Sequence, residues 1–418
     1  MKQLLAYCLS IILCVSFTGC MENYLDLYPE DKITSASFPE NESDIKLLLN
    51  GVYAQLREKE VYNQGLFGFG ITDGATPNAF NWGTDEVFNK LGAGRLSSSD
   101  GGVVTYRWKR CYEIISRANY LLACMDLVDL SEEAKAKYSG ETHFLRGLAY
   151  SVLAETYGGV PIILTDISTE EARSLKRASL EETWQQALDD YEVAITNLGV
   201  DAPEPGRATK GAALGMKMRA YLYQGKYKEV LSCVEQIDAL KKYGLFHSYE
   251  GLFDPANENN KEVLFDIQYI EGENSQGSYI DQYCGTGTGS WTRGSRYVPT
   301  DDLVAAYETI DGSPVDPENP YENRDPRLGF TAVLPGSYFL GYRFPNYLYP
   351  GGAFNHAGNR LKHLSTRKYR IQDESKLPPS GQSYINDIIL RYADVLLSKA
   401  EAIIETNGNV ADAIAILN

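Results

Sequence analysis

Paired cysteines, clustered histidines and blocks of basic residues are all missing from this chain of 418 residues. Its seven cysteines are scattered, without the short paired spacings of structural zinc sites. The four histidines, His143, His247, His356 and His363, never stand three or four residues apart, so no metal site is expected. No Gly-x-Ser-x-Gly elbow or zinc-protease His pair is present, and nothing calls for a cofactor. The run Gly285-Thr286-Gly287-Thr288-Gly289-Ser290 lacks the Lys-Ser/Thr pair of a phosphate loop and leads into Trp291, so it reads as a loop. A formal net charge of −17, with no Lys or Arg block as a local exception, repels phosphate backbones and excludes nucleic acid as the expected partner.

What is present begins at the N-terminus. Lys2 precedes an uncharged apolar run from Leu4 to Phe17, shorter than the ~20 residues a membrane-spanning helix needs, and Phe17-Thr18-Gly19-Cys20 closes it with small residues before a thiol. This pattern predicts a signal peptide over residues 1–19, with Cys20 as the lipidated first residue of the exported protein. An ordinary secretory signal with an incidental cysteine is the alternative, because Phe17 stands where Leu is usual. Cys8 and Cys14 leave with the signal, and of the remaining four, Cys111, Cys124, Cys233 and Cys284, most read as small buried apolar residues, although export permits a disulfide.

Helical periodicity dominates the middle of the chain. Phe144, Leu145, Leu148, Ala149, Val152 and Leu153 form one stripe of a helix from about Gly140 to Tyr157, ended by Gly158-Gly159 and Pro161. Ser179 and Glu182 make a capping box before a helix reaching about Leu198. Residues 209–242 read as helix, Gly225 turn, helix, with small residues on the first arm, the plan of a tetratricopeptide-like pair. The plan returns near the end: Leu390, Ala393, Leu397, Ala400 and Ile404 form one stripe, Asn407-Gly408 turns the chain, and Val410, Ala413, Ile414 and Leu417 begin an answering helix. No Gly, Pro or basic last turn closes that helix, so the chain is read as truncated at its end.

Between the helices lie residues 63–103, 270–298 and 311–383, long irregular stretches rich in Gly, Pro or polar residues. Val263 to Tyr269 is the clearest strand, with Phe265, Ile267 and Tyr269 alternating with Asp266 and Gln268. Asp301-Asp302 stands at a helix start, where carboxylates cap amides and meet the positive dipole end, and Asp189-Asp190 lies on a helix face, so no catalytic residues are assigned. Trp108 and Trp184 sit in helical patterns and are expected in the core. The aromatic loops are the better lead, because a sugar ring offers an apolar C–H face and hydroxyls to flat side chains flanked by amides and Arg. Asn81 and Trp82 in the first loop, and Tyr283, Trp291 and Arg293 in the second, are the candidate ligand contacts, with burial as loop anchors the alternative for each aromatic.

A family resemblance runs through nearly the whole chain. Its motifs, in order, include Asn23-Tyr24-Leu25-Asp26 after Cys20, Phe144-Leu145-Arg146, Tyr157-Gly158-Gly159-Val160-Pro161, Arg207-Ala208-Thr209-Lys210-Gly211, Asn323-Arg324-Asp325-Pro326-Arg327 and Leu390-Arg391-Tyr392-Ala393-Asp394. Together they resemble the SusD/RagB lipoproteins, surface nutrient binders of Bacteroidota. The resemblance implies a mainly α, SusD-like fold with tetratricopeptide-like helix pairs, long irregular loops and minor β. It divides the chain into the signal peptide 1–19, an N-terminal helical region 20–250 and a C-terminal SusD/RagB region 251–418. It also implies a non-enzymatic protein, lipid-anchored in the outer membrane and facing outside, that holds an oligosaccharide for a SusC-like TonB-dependent β-barrel transporter. A RagB-like peptide cargo, a periplasmic repeat scaffold and a secreted glycosidase are the rival readings. For Arg324-Asp325-Pro326-Arg327, a turn with the flanking Arg side chains clamping Asp325 is expected.

Overall fold

The computed structural model describes residues 38–57, 73–81, 90–97, 99–270, 277–278, 297–343, 364–377 and 383–418. It is mainly α. The principal helices are α1 (Glu42–Ala54), α2 (Val103–Cys124), α3 (Glu132–Tyr157), α4 (Leu180–Asn197), α5 (Lys210–Tyr223), α6 (Tyr227–Ala239), α7 (Tyr392–Glu405) and α8 (Val410–Leu417). From α2 onward each packs on its predecessor in this order, the arrangement of stacked repeat pairs, and the widest contact joins α3 to α4.

Local sequence explains most helix boundaries. The capping box before α4 forms as expected: Glu182 N donates to Ser179 Oγ at 3.1 Å, and Ser179 N donates to the Glu182 carboxylate at 2.7 Å. Gly225, at φ +66°, makes the turn between α5 and α6 where a side chain would be strained. α3 starts earlier than its apolar stripe suggests, with Ser131 Oγ accepting from Ala134 N and two glutamates in the first turn. Its opening turns carry only Ala, Lys and Glu, so no hydrophobic period announces them. From Phe144 to Ala154 every residue of α3 is buried, because neighbouring helices cover it on all sides. Gly147 lets α4 approach: a Cβ there would lie 3.1 Å from the Ala187 carbonyl oxygen.

One ionic knot ties three helices. Arg146 on α3 grips buried Asp190 on α4 with Nε at 3.0 Å and Nη2 at 2.7 Å, and its Nη1 donates to Asn119 on α2 at 2.8 Å. Asn119 in turn donates to the Ile163 carbonyl at 3.0 Å, so every charged end is satisfied. Asp190 is therefore a core residue, on the face of α4 turned toward α3. Trp184 is buried as expected. Trp108 is not: it is 37% exposed, because the opening turns of α2 around it are exposed, and its ring is covered only where it meets Tyr112 at 5.0 Å and Tyr157 at 5.2 Å. Cys111, Cys124 and Cys233 are buried free thiols, as expected, whereas Cys284 lies outside the described residues.

Among the described residues, eight short strands pair in twos. They are β1 (Ala79–Asn81), β2 (Val263–Ile267), β3 (Tyr297–Pro299), β4 (Ala332–Val333), β5 (Tyr338–Phe339), β6 (Tyr342–Arg343), β7 (Ser365–Thr366) and β8 (Asp387–Arg391). β2 forms where alternation predicts it, and Asp266, which alternates with the apolar residues, is itself buried at 4% exposed and accepts from Asn386 Nδ2 at 3.1 Å. Leu390 belongs to β8 rather than to the following helix. Antiparallel pairing with β2 extends the strand to Arg391, and Tyr392 N then donates to the Glu262 carbonyl at 2.8 Å. On α7 the residues turned inward include Val395, Ser398 and Ala402 as well as Ala400, and Leu397 and Ile404 are exposed. The Asp325 clamp is made by one arginine only: Arg327 Nε reaches both Asp325 oxygens at 3.0 Å, while Arg324 donates to the carbonyls of Tyr307, Pro320 and Val304.

A set of carboxylates lies along the β2–β8 pair. Burial is the first cause in each case: it raises the pKa of Glu258 to about 7 and of Asp266 to about 6, and burial with the Asp266 charge raises Asp387 to about 7. Folded-state values above the unfolded ones mean that the native chain holds protons the unfolded chain has released. These groups therefore support stability fully below about pH 4 and lose it as pH rises through 6 to 7. His143, whose pKa burial lowers, acts in the opposite sense over part of this range. The discriminating comparison is thus between wild type and Asp387→Asn, which should show a flatter stability profile between pH 4.5 and 7.5 and gain on the order of 2 kcal/mol at the upper end. Parallel profiles in urea titrations would contradict this.

Candidate binding site at the β1–β3 ribbon

β1 and β3 are separated by more than 200 residues of chain yet pair antiparallel, Ala79 with Pro299, Phe80 with Val298 and Asn81 with Tyr297. Thr300 fastens the open end, its N donating to the Asn78 carbonyl at 3.0 Å, its hydroxyl donating to the Pro77 carbonyl, and its Oγ1 accepting from Leu303 N at 3.1 Å as the cap of a short helix, Asp301–Ala306. Phe80 and Val298 are register partners and share one face of the ribbon, which is fully buried at Val298 on β3 and 41% exposed at Phe80 on β1.

This pairing has a direct consequence for the two aromatic loops. The first leaves the ribbon after Asn81 and the second returns to it before Tyr297, and these two residues face each other in register. Both loops are therefore rooted at the same end of one ribbon. Of the candidate contacts, the structure places the backbone of Asn81 at that end. Trp82, Tyr283, Trp291 and Arg293 lie outside the described residues, as does Cys20.

The ribbon stands beside a second strand pair. β3 packs against β7, which pairs with β4, Ala332 with Thr366 and Val333 with Ser365. Immediately after β7 the chain lines a cleft of about 320 Å³ that includes Glu250, Phe253, Phe330, Arg367 and Lys368. Arg367 spans it, reaching Glu250 at 3.3 Å, Gln372 at 2.9 Å and the Gly329 carbonyl at 3.1 Å. Lys368 Nζ sits 4.6 Å from the Phe253 ring centroid and 5.5 Å from that of Tyr369. Burial and the neighbouring Arg391 charge lower its pKa to about 8, against the pull of Asp73, itself raised by burial. Asp73 stands six residues before β1.

Rings, amides and cations of this kind hold a ligand by stacking and hydrogen bonding. Among the described residues no group of three His, Cys, Asp or Glu is arranged to hold a metal, and no helix is long and apolar enough to cross a membrane. The cleft residues were missed in sequence. Arg367-Lys368-Tyr369-Arg370 is the signal that could have found them, three cations around an aromatic, too few to form a basic block, inside an otherwise loop-like stretch.

Comparison with known proteins gives a consistent picture. Residues 23–222 match a family model described as starch-binding associating with outer membrane, and residues 261–418 match the SusD family model. A SusD-like protein P25 of Formosa agariphila is 26% identical over 71% of this chain, and the match spans 58% of that relative's length. A SusD-like protein of Bacteroides ovatus is 24% identical over 95% of this chain and 71% of its own. A crystal structure of a SusD-like carbohydrate-binding protein from Bacteroides fragilis superposes with a TM-score of 0.80 at 26% identity, covering 90% of this chain and 77% of that one. A laminarin-binding SusD-like protein shares the fold at a TM-score of 0.72 and 20% identity, over 90% of this chain and 83% of that one.

Proposed function

The chain belongs to the SusD/RagB family, and from that membership we propose that it is a non-enzymatic, oligosaccharide-binding surface lipoprotein that delivers its ligand to a SusC-like TonB-dependent β-barrel transporter. The observation that carries the binding site is the register of the β1–β3 ribbon, which roots the loops bearing Trp82 and Trp291 at one point. On this reading Trp82 and Trp291 stack on sugar rings, and Asn81, Tyr283 and Arg293 supply edge contacts and hydrogen bonds. The cation-rich cleft past β7 borders this site and offers polar groups to an extended ligand.

Calorimetric titration with neutral oligosaccharides and with peptides tests the cargo. Oligosaccharide binding with no peptide binding supports the proposal, and the reverse turns it toward the RagB-like peptide reading. Attachment through lipid on Cys20 is tested separately. One acyl chain holds a protein to a membrane only marginally, and a processed lipoprotein carries more than one, so Cys20→Ala should move the protein from the outer-membrane fraction to the soluble one. Unchanged membrane retention of the variant would remove lipidation from the account.

A further inference from the structure

A second cleft, of about 360 Å³, opens in the helical body, and none of its lining residues belongs to the ribbon or to the cleft beside it. Its walls come from α2 to α5 and β8. Among the described residues, two opposite charges in it make no hydrogen bond or ion pair. Arg107 has a buried Nε that no acceptor meets, and Glu155, exposed on α3, makes no ion pair or hydrogen bond among the described residues. The other arginine here, Arg219, is already matched, to Asp394 at 2.7 Å and the Ile389 carbonyl at 3.0 Å. A guanidinium does not deprotonate, so a nitrogen stripped of water calls for an acceptor from outside the fold. Beside these groups Tyr223 is 53% exposed and meets the buried Trp184 ring edge-on at 6.5 Å, giving the cleft a fixed aromatic face.

We propose that this cleft is a second binding site, for a sugar acid: one ring carrying an oxyanion, either a carboxylate or a sulfate ester. The oxyanion meets the Arg107 fork, ring hydroxyls donate to Glu155, and the C–H face lies on Tyr223. The volume suits one or two sugar rings. The unpaired Arg107 is what separates this ligand from a neutral sugar, which would leave the guanidinium as it is. The inference does not rest on the ribbon site.

The test is titration of the full chain with glucuronate, glucose 6-sulfate, glucose and inorganic sulfate, followed by NMR or calorimetry, in wild type and in Arg107→Met. At least one sugar acid should bind ten times or more tightly than glucose, and Arg107→Met should abolish that preference with an unchanged or raised thermal midpoint, since among the described residues Arg107 makes no hydrogen bond or ion pair. Preference for glucuronate identifies a carboxylate, and preference for glucose 6-sulfate a sulfate ester. Trp291→Ala should leave this binding intact, which separates it from the ribbon site. Equal affinity in wild type and Arg107→Met, no preference over glucose, or inorganic sulfate binding as tightly as the sugar acids overturns the proposal. If Arg107→Met lowers the midpoint, Tyr223→Ala at an exposed ring decides: a tenfold or greater loss for the sugar acid supports the site, and unchanged affinity overturns it.

Discussion

Arg146→Met should lower the unfolding free energy by about 3–5 kcal/mol, because it leaves the Asp190 carboxylate charged, buried and unpaired between α3 and α4. Asn119, which accepts from Arg146 at 2.8 Å, loses its partner as well. The double variant Arg146→Met/Asp190→Leu should recover most of that loss, since two apolar residues of similar size do not have to be desolvated as charges. Urea titrations of the three proteins check both statements. A single-variant cost below about 1 kcal/mol would mean that the pair is not the buried clamp described here.

Trp291→Ala should weaken oligosaccharide binding about thirtyfold, equivalent to ~2 kcal/mol, without a matching fall in thermal midpoint. The size follows from removing an aromatic anchor from a small site, where stacking on one ring face carries much of the affinity. Trp82→Ala should act in the same direction, because its loop leaves the ribbon opposite the point where the Trp291 loop returns. Calorimetry and a thermal melt on one preparation separate the cases. Lost stability assigns Trp291 to the core, and unchanged affinity with unchanged stability removes it from the site.

The helical body was legible because its signals are local. The Ser179–Glu182 box, the Gly225 turn and the Phe144–Leu153 stripe each lie within a few residues of chain and fold as their spacing dictates. Leu390 shows the limit of that logic: its spacing fits a helix, but pairing with β2, over 100 residues earlier, makes it strand. Asp190 shows another limit, since an aspartate on a helix face looks solvated until Arg146, 44 residues away, is brought to it. In the candidate site the residue types were legible and their assembly was not. Three-residue strands such as β1 and β3 carry no measurable alternation, and only the fold reveals that Asn81 and Tyr297 meet.

The central claim, that the two loops rooted on the β1–β3 ribbon form one oligosaccharide site, is tested most directly by amide hydrogen exchange with and without a bound oligosaccharide. The account predicts that peptides covering both 82–89 and 279–296 gain protection together, while α4 to α6 are unchanged. Protection confined to one loop, or appearing only in the helical body, would contradict it.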